Sequence, residues 1–163
     1  MSPILIRNVI ESDLPIFYQQ QLDPEATAMA AFPRRDRESF MLHWKKIMAD
    51  KSVILKTILF DGQVAGNIVC WEMLGKWEVG YWIGREFWGK GIATESLKQF
   101  LDVVKTRPLF AHVARHNVAS RRVLEKCGFS IIGEDKFLDR NGNEVEEAIL
   151  KLNGHGTEKT ETV

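Results

Sequence analysis

The stretch richest in residues that can do chemistry is Trp88-Gly89-Lys90-Gly91-Ile92-Ala93-Thr94. Gly89, Gly91 and the small Ala93 alternate along it, so an anionic group can come close to the backbone and meet unpaired N–H groups. Before it, residues 77–83 are β-branched and aromatic, as a strand would be. After it, Leu97, Phe100, Leu101 and Val104 fall at i, i+3, i+4 and i+7, one face of an amphipathic helix. A strand therefore feeds a helix through a glycine turn, and the positive helix end faces the turn. The chemistry predicted is phosphate binding. Two familiar phosphate loops are excluded. Gly84-Arg85-Glu86-Phe87-Trp88-Gly89-Lys90 imitates the P-loop spacing, but Gly91 stands where the Mg²⁺-binding Ser or Thr is required. Thr94 takes the place of the third glycine of a dinucleotide fingerprint, and the strands before it suggest an antiparallel meander rather than a βαβ unit.

The elements that must position this loop follow from the chain in order. Residues 4–10 read as a strand interrupted by Arg7 and Asn8. Ser12-Asp13-Leu14-Pro15 reads as a helix start with Ser12 as N-cap, the helix reaching about Gln21. Residues 22–37, with Pro24, Pro33, small residues over 26–31 and the basic cluster Arg34, Arg35 and Arg37, read as irregular or broken helix and as a solvated face. Phe40, Trp44, Ile47 and Met48 then recur at helical spacing up to about Asp50. Residues 53–60, 63–71 and 77–83 form a three-strand meander through Asp61-Gly62, a strong hairpin signal, and Leu74-Gly75-Lys76. Pro108 ends the loop's helix, and residues 109–114 give a strand. Asn117 is a plausible N-cap for a helix to Lys126 whose inner face uses Ala119, Val123, Leu124 and Cys127, with Gly128 after its end. Residues 129–137 and 144–152 are strands joined around Asn141-Gly142. The order β-α-α-β-β-β-α-β-α-β-β describes an α+β fold with a mixed, mostly antiparallel sheet. One domain over 1–152 and a polar tail over 153–163 account for the chain.

Composition narrows the function classes. With 22 basic and 22 acidic residues among 163, net charge gives no reason to propose nucleic acid or an anionic membrane as partner. No run approaches the ~20 apolar residues of a membrane span. Cys70 and Cys127 are too few and too isolated for a disulfide framework or zinc site, so they read as small buried apolar residues in a reducing, cytoplasmic setting. No metal is expected. His112 and His116 lack a spaced partner that would make a ligand set or a triad, and read as structural. Nothing reports the oligomeric state, with which a homodimer is compatible.

A second motif follows the loop: Asn117-Val118-Ala119-Ser120-Arg121-Arg122-Val123-Leu124-Glu125-Lys126-Cys127-Gly128-Phe129. Together the two resemble the GNAT superfamily of acetyl-CoA-dependent N-acetyltransferases over residues 4–152. The family's pyrophosphate loop, Gln/Arg-x-x-Gly-x-Gly/Ala, lands on Trp88 to Ala93. Trp88 departs from Gln/Arg, and an aromatic residue there is similar to the ribosomal-protein N-terminal acetyltransferase branch, as is the Asn-x-x-Ser…Glu-Lys-x-Gly-Phe pattern.

The resemblance implies direct attack of a primary amine on the thioester of acetyl-CoA, through a tetrahedral oxyanion, with loss of the CoA thiolate. The amine acceptor is a protein or peptide N-terminus, or else a small molecule. A non-catalytic acyl-CoA-binding module is the alternative of a different class. It further implies that Gly89, Lys90, Gly91, Ile92, Ala93 and Thr94 hold the pyrophosphate, with Lys90 adding charge at the rim. Val79, Tyr81 and Ile83 would pair with pantetheine on a strand splayed at a bulge, for which Gly80 is the site, and an N–H there would polarise the carbonyl. The amine must lose a proton, which is easier for an α-amine (pKa about 8) than for a Lys (about 10.4). Glu78 is the implied base, acting through water, with Glu72 as second choice. Many family members carry a Tyr where this chain has Leu124, so Ser120 becomes the donor to the leaving thiolate. Asn117 both caps its helix and meets CoA. Apart from the resemblance, the five tryptophans read as core and groove walls, with narrowing of the acceptor pocket as the other reading for Trp44, Trp71 and Trp82, and residues 22–37 read as one wall of that pocket.

Overall fold

The computed structural model describes residues 3–30, 35–139 and 142–154. Its elements are β1 (Ile4–Asn8), α1 (Leu14–Gln21), α2 (Pro24–Ala30), α3 (Arg37–Ala49), β2 (Ile54–Phe60), β3 (Gln63–Met73), β4 (Lys76–Ile83), α4 (Ile92–Val103), β5 (Leu109–Ala114), α5 (Val118–Lys126), β6 (Ser130–Leu138) and β7 (Glu144–Leu152). The sheet has seven strands in the order β1-β2-β3-β4-β5-β7-β6. Every neighbouring pair is antiparallel except β4 and β5, which α4 joins as a parallel crossover. The fold is the predicted mixed, mostly antiparallel α+β sheet. No helix among the described residues is long and apolar enough to cross a membrane.

Turn chemistry fixes the meander. Asp61 and Gly62 take φ of 53° and 81°, and Leu74 and Gly75 take 53° and 79°, the positive values that a tight hairpin between right-twisted strands needs. Side-chain alternation then gives two cores. Val79, Tyr81 and Ile83 of β4, with Ala111 and Val113 of β5, face α4 and α5, where Leu97, Phe100 and Leu124 are buried. On the opposite face Phe17 of α1 and Phe40 and Trp44 of α3 pack together, with Phe17 and Trp44 rings 5.0 Å apart.

Several expectations change. Residues 24–30 form a regular helix, α2, where broken structure was expected; Pro24 sits in its first turn and Thr27 N–H bonds Asp23 O at 3.1 Å. The element order thus gains a helix. Residues 31–34, including Pro33 and Arg34, lie outside the described residues, as do Asn141 and the tail from 155. Arg37 is not simply solvated, since its guanidinium lies 5.5 Å over the Tyr18 ring. Ser12 does not cap α1; it lies inside a 3-10 turn over Glu11–Asp13, and Asp13 takes the junction. The α4 helix ends at Val103, before Pro108, because Val104 turns extended while Arg107 donates to the carbonyls of Leu101 and Val104. Trp44 is core, 6% exposed, rather than pocket wall. The β6–β7 connection is longer than a two-residue turn, Asp139 N–H bonding Asn143 O at 2.9 Å.

Asp13 ties α1 to the sheet. Its carboxylate, 1% exposed, accepts from Arg7 of β1 at 2.7 and 2.9 Å, Thr57 of β2 at 2.6 Å and the Ile10 amide at 3.0 Å. Burial alone would raise its pKa, but the bonds from Arg7, Thr57 and Ile10 outweigh it and hold the carboxyl below its usual range. A depressed carboxylate stabilises the fold at pH above its unfolded value, and that contribution is lost as pH falls through the folded value. Asp13→Ala should therefore cost about 2–3 kcal/mol in denaturant unfolding at neutral pH, the loss shrinking on acidification.

Candidate active site

The loop after β4 places its backbone where a helix begins. Gly91 is the N-cap of α4 in the left-handed region, φ 73°, and Gly89 has φ 76°; a Cβ on either would meet nothing within 4 Å, so both backbones face open space. The first intrahelical bond is Glu95 N–H to Gly91 O, 3.1 Å, which leaves the preceding amides of α4 without helical partners. Glu95 itself, an acidic group that would oppose an anion there, accepts instead from Gln99 Nε2 at 3.1 Å. The residues present therefore suit a phosphate.

Next to this helix start β4 leaves β5. Their parallel pairing consists of Trp77↔Leu109 and Glu78↔Phe110, after which the strands part. The expected bulge at Gly80 is not what opens the sheet, since β4 keeps an unbroken register with β3 from Ile83↔Gly66 to Lys76↔Met73. Gly80 instead leaves room for Trp71, whose ring a Cβ would meet at 3.3 Å. The irregularity lies in β3, at the Ile58/Leu59 register shift. There Gly84 N–H bonds Ala65 O at 2.8 Å, and a Cβ on Gly66 would run into the Trp82 carbonyl.

Beside the parted end of β4 lies a cleft of about 520 Å³, walled by the start of α4, by α5 and by α2. It brings together Tyr81, Ile83, Trp88, Gly89, Gly91, Ile92, Ala93, Thr94, Asn117 and Ser120 from the expected set. Three members fall outside its lining, Glu78, Val79 and Lys90. Lys90 is exposed, and the Val79 side chain is core, 4% exposed, so Val79 can offer only backbone. Sequence reasoning missed Lys126, which brings the positive charge expected of Lys90, whereas Ala26 and Met29 of α2 fall within the expected wall over residues 22–37. Ala119, Val123 and Lys126 form one helical stripe, so the signal was present, but Ala119 was assigned to the core and is exposed in the cleft. Trp88, in the place of Gln/Arg, donates its indole N–H to Ile83 O at 2.9 Å and pins the loop to the strand end.

Asn117 caps α5 as expected, its Oδ1 accepting from Ser120 N–H at 3.2 Å. At the other end Gly128, φ 98°, closes α5 with Phe129 N–H on Leu124 O and Gly128 N–H on Glu125 O. Ser120 Oγ lies 2.6 Å from the Tyr81 hydroxyl, which also reaches Ser120 O at 3.2 Å. Burial pushes the Tyr81 phenol up to about 12, so it keeps its proton at neutral pH. The cleft thus holds two hydroxyls from different elements. The Tyr81 role was invisible without the knowledge that odd-numbered β4 residues face α5.

Glu78 lies on the other face of β4, with Gly80 and Trp82. It is 4% exposed, at the last β4–β5 pair. Burial raises its pKa above the ordinary carboxylate range; His112 and Lys76 pull it back and Glu147 adds to the rise. Its Oε1 is 3.4 Å from His112 Nε2. His112 therefore has the partner that sequence spacing failed to reveal. His116, by contrast, bonds Ala28 O of α2 at 2.9 Å. Glu72 is exposed beside the hairpin, opposite Trp77, and is not in the cleft. Cys70 is buried, its thiol pushed up to about 11 by burial, and Cys127 is half-buried.

With this geometry in view, comparisons with known proteins are informative. A family model described as an acetyltransferase (GNAT) domain matches residues 4–130. A Bacillus subtilis (strain 168) protein named "Putative ribosomal N-acetyltransferase YdaF" is 32% identical over 100 residues, 57% of this chain and 55% of that protein. The matched stretch thus spans about half the length of that relative. The solved spermidine N-acetyltransferase from Vibrio cholerae, in complex with CoA and spermine, superposes with a TM-score of 0.80 at 17% identity, covering 93% of this chain and 95% of that one. RimL, a ribosomal L7/L12 alpha-N-protein acetyltransferase in complex with coenzyme A, gives 0.79 at 19% identity, covering 94% and 95%. At those identities the likeness is one of fold.

Asp tolerates a left-handed backbone better than most residues, so Gly91→Asp tests the loop with little cost to folding. Calorimetric titration with coenzyme A should show at least about 100-fold weaker binding, since like charges about 4 Å apart repel by about 4 kcal/mol at an effective dielectric near 20.

Proposed function

Because this chain belongs to the GNAT acetyltransferase domain family, we propose that residues 1–152 transfer an acetyl group from acetyl-CoA to a primary amine by direct attack in a ternary complex, the acceptor being a protein or peptide N-terminus. The observation that carries this reading is the parting of β4 from β5 against the start of α4, with the Tyr81–Ser120 hydroxyl pair in the same cleft. Acetyl-CoA supplies the activated acyl group. The amides at the start of α4 hold its pyrophosphate, with Lys126 near. The open side of β4 takes the pantetheine through the backbone of Val79, Tyr81 and Ile83. Asn117 orients the start of α5. No metal enters the scheme, and a cytoplasmic setting suits the two free thiols.

On the opposite face of β4, Glu78 removes a proton from the ammonium through water. Its burial favours the neutral acid, which makes it a stronger proton acceptor than an ordinary carboxylate. The Ser120 hydroxyl, backed by Tyr81, hydrogen-bonds the departing sulfur. This pair supplies the group absent at Leu124 and argues against a non-catalytic binding module.

A small-molecule amine is the second reading. It is favoured by the acidic surroundings of Glu78, where His112, Asp135 and Glu147 bring their polar atoms within 4.8 Å of one another, and by the fold shared with the spermidine enzyme. Calorimetry with acetyl-CoA followed by thiol release over a panel of peptides and small amines separates the readings. Fastest turnover on peptide N-termini is expected; preference for small amines moves the assignment to the second reading, and tight binding with no turnover at all makes the chain a binding module.

Glu78→Gln should leave acetyl-CoA binding unchanged and lower kcat about 100-fold at pH values above the raised Glu78 pKa and below that of the acceptor amine, with little effect at high pH, where the amine is already free. Unchanged turnover throughout would remove Glu78 from the mechanism. Ser120→Ala and Tyr81→Phe should each slow turnover by about tenfold or more, and the double variant should be hardly slower than the worse single one, because the two hydroxyls act as a unit.

A further inference from the structure

Acetylating an ammonium takes two protons off nitrogen. One ends on the thiol sulfur and the other must reach solvent in every turnover. If Glu78 is the base, as proposed above, it receives that second proton, yet its side chain is only 5% exposed. It must be emptied through a neighbour.

That neighbour is His112. The parallel pair Glu78↔Phe110 puts residue 112 of β5 on the same sheet face, one step further along. From β7, Glu147 comes to the same face through its pairing with Ala114, and Asp135 of β6 lies opposite Glu147. His112 Nε2 is 3.4 Å from Glu78 Oε1, while Nδ1 is 3.0 Å from Glu147 Oε1. The Glu147 carboxylate accepts an Nδ1–H, which leaves the Nε2 lone pair toward Glu78. The charged groups around the pair are Lys76 of β4, which favours the Glu78 carboxylate, and Asp135 and Glu147, whose carboxylates lie beside the His112 ring. The His112 side chain is 30% exposed, so its outer edge reaches water.

We propose that His112 is a positioning residue that also carries the base's proton to solvent. The O–H bond of protonated Glu78 breaks as an Nε2–H bond forms, the imidazolium then releases its Nδ1 proton to water at the edge beside Glu147, and exchange of the ring protons with water restores the Nδ1–H tautomer before the next turnover. No electrons move between groups, and Glu78 returns to the carboxylate for the next acceptor. Imidazole is the side chain suited to both steps near neutral pH.

The test is His112→Gln, which keeps a hydrogen-bonding side chain but cannot carry a proton. In dilute buffer kcat should fall by at least about tenfold, with KM for acetyl-CoA and the thermal midpoint unchanged. Added imidazole should restore the rate in proportion to its concentration, whereas wild type should ignore it. His112→Asn, measured in the same way, guards against a poorly seated Gln. Wild-type rates in both variants, or a loss that imidazole does not repair, would overturn the relay and leave His112 a structural prop. Measuring Glu78→Gln in parallel keeps the two ideas apart: if that variant is slow while the His112 variants are not, the base stands and the relay falls, and if it turns over normally both are lost.

Discussion

Everything at the site depends on how short the parallel pairing of β4 and β5 is. Neither strand is free to close the gap. Beyond Glu78, β4 stays in register with β3 as far as Ile83, and β5 is bound to β7 from Leu109↔Leu152 to Ala114↔Glu147. Each strand follows its own antiparallel neighbour, and the sheet splits between them. Backbone edges of this kind need a polar partner. In an ordinary sheet that partner is another strand; here the gap sits against the helix start at Gly91, which suits an extended ligand with amides at one end and phosphates at the other.

The same split lets one strand serve two purposes. Side chains alternate along β4, so Tyr81 points to the α4/α5 side and meets Ser120, while Glu78 points to the other side and meets His112. A hydroxyl pair and a buried carboxylate are thus separated by the thickness of the sheet rather than by a loop. The strand is rigid because it is paired along its whole length with β3, which keeps both side chains on a fixed backbone.

What the sequence made legible was local. Asp61-Gly62 and Leu74-Gly75 need positive φ, Asn117 needs only Ser120 N–H three residues on, and Gly128 needs only the preceding turn of helix. Each is a short-range constraint on the backbone. What it hid was either weakly patterned or long-range. The α2 helix buries only Ala26, so no apolar period announces it. The opening of the sheet was sought in Gly80, a residue type associated with bulges, but it comes from where pairing stops, which depends on α4 and on β7. The Glu78–His112 and Tyr81–Ser120 contacts join residues far apart in the chain; strand register brings the first together and the packing of α5 against β4 the second.

The replacement of Gln/Arg by Trp88 shows how a family motif can keep its geometry while shifting its charge. A charged side chain at that position would add to the attraction for phosphate directly. Trp88 instead uses its indole N–H to hold the loop against Ile83 O. The positive charge in the cleft then comes from the far wall, where Lys126 stands at the end of the Ala119–Val123 stripe on α5. Lys90, adjacent in sequence to the cradle, is exposed and is not part of the cleft's lining. Backbone amides do not change with sequence as long as the glycines permit the turn, so the loop can give up its cation provided another element supplies one. The cradle is therefore set by Gly89, Gly91 and the start of α4, and the charge that accompanies it is free to move to whichever helix lines the opposite side.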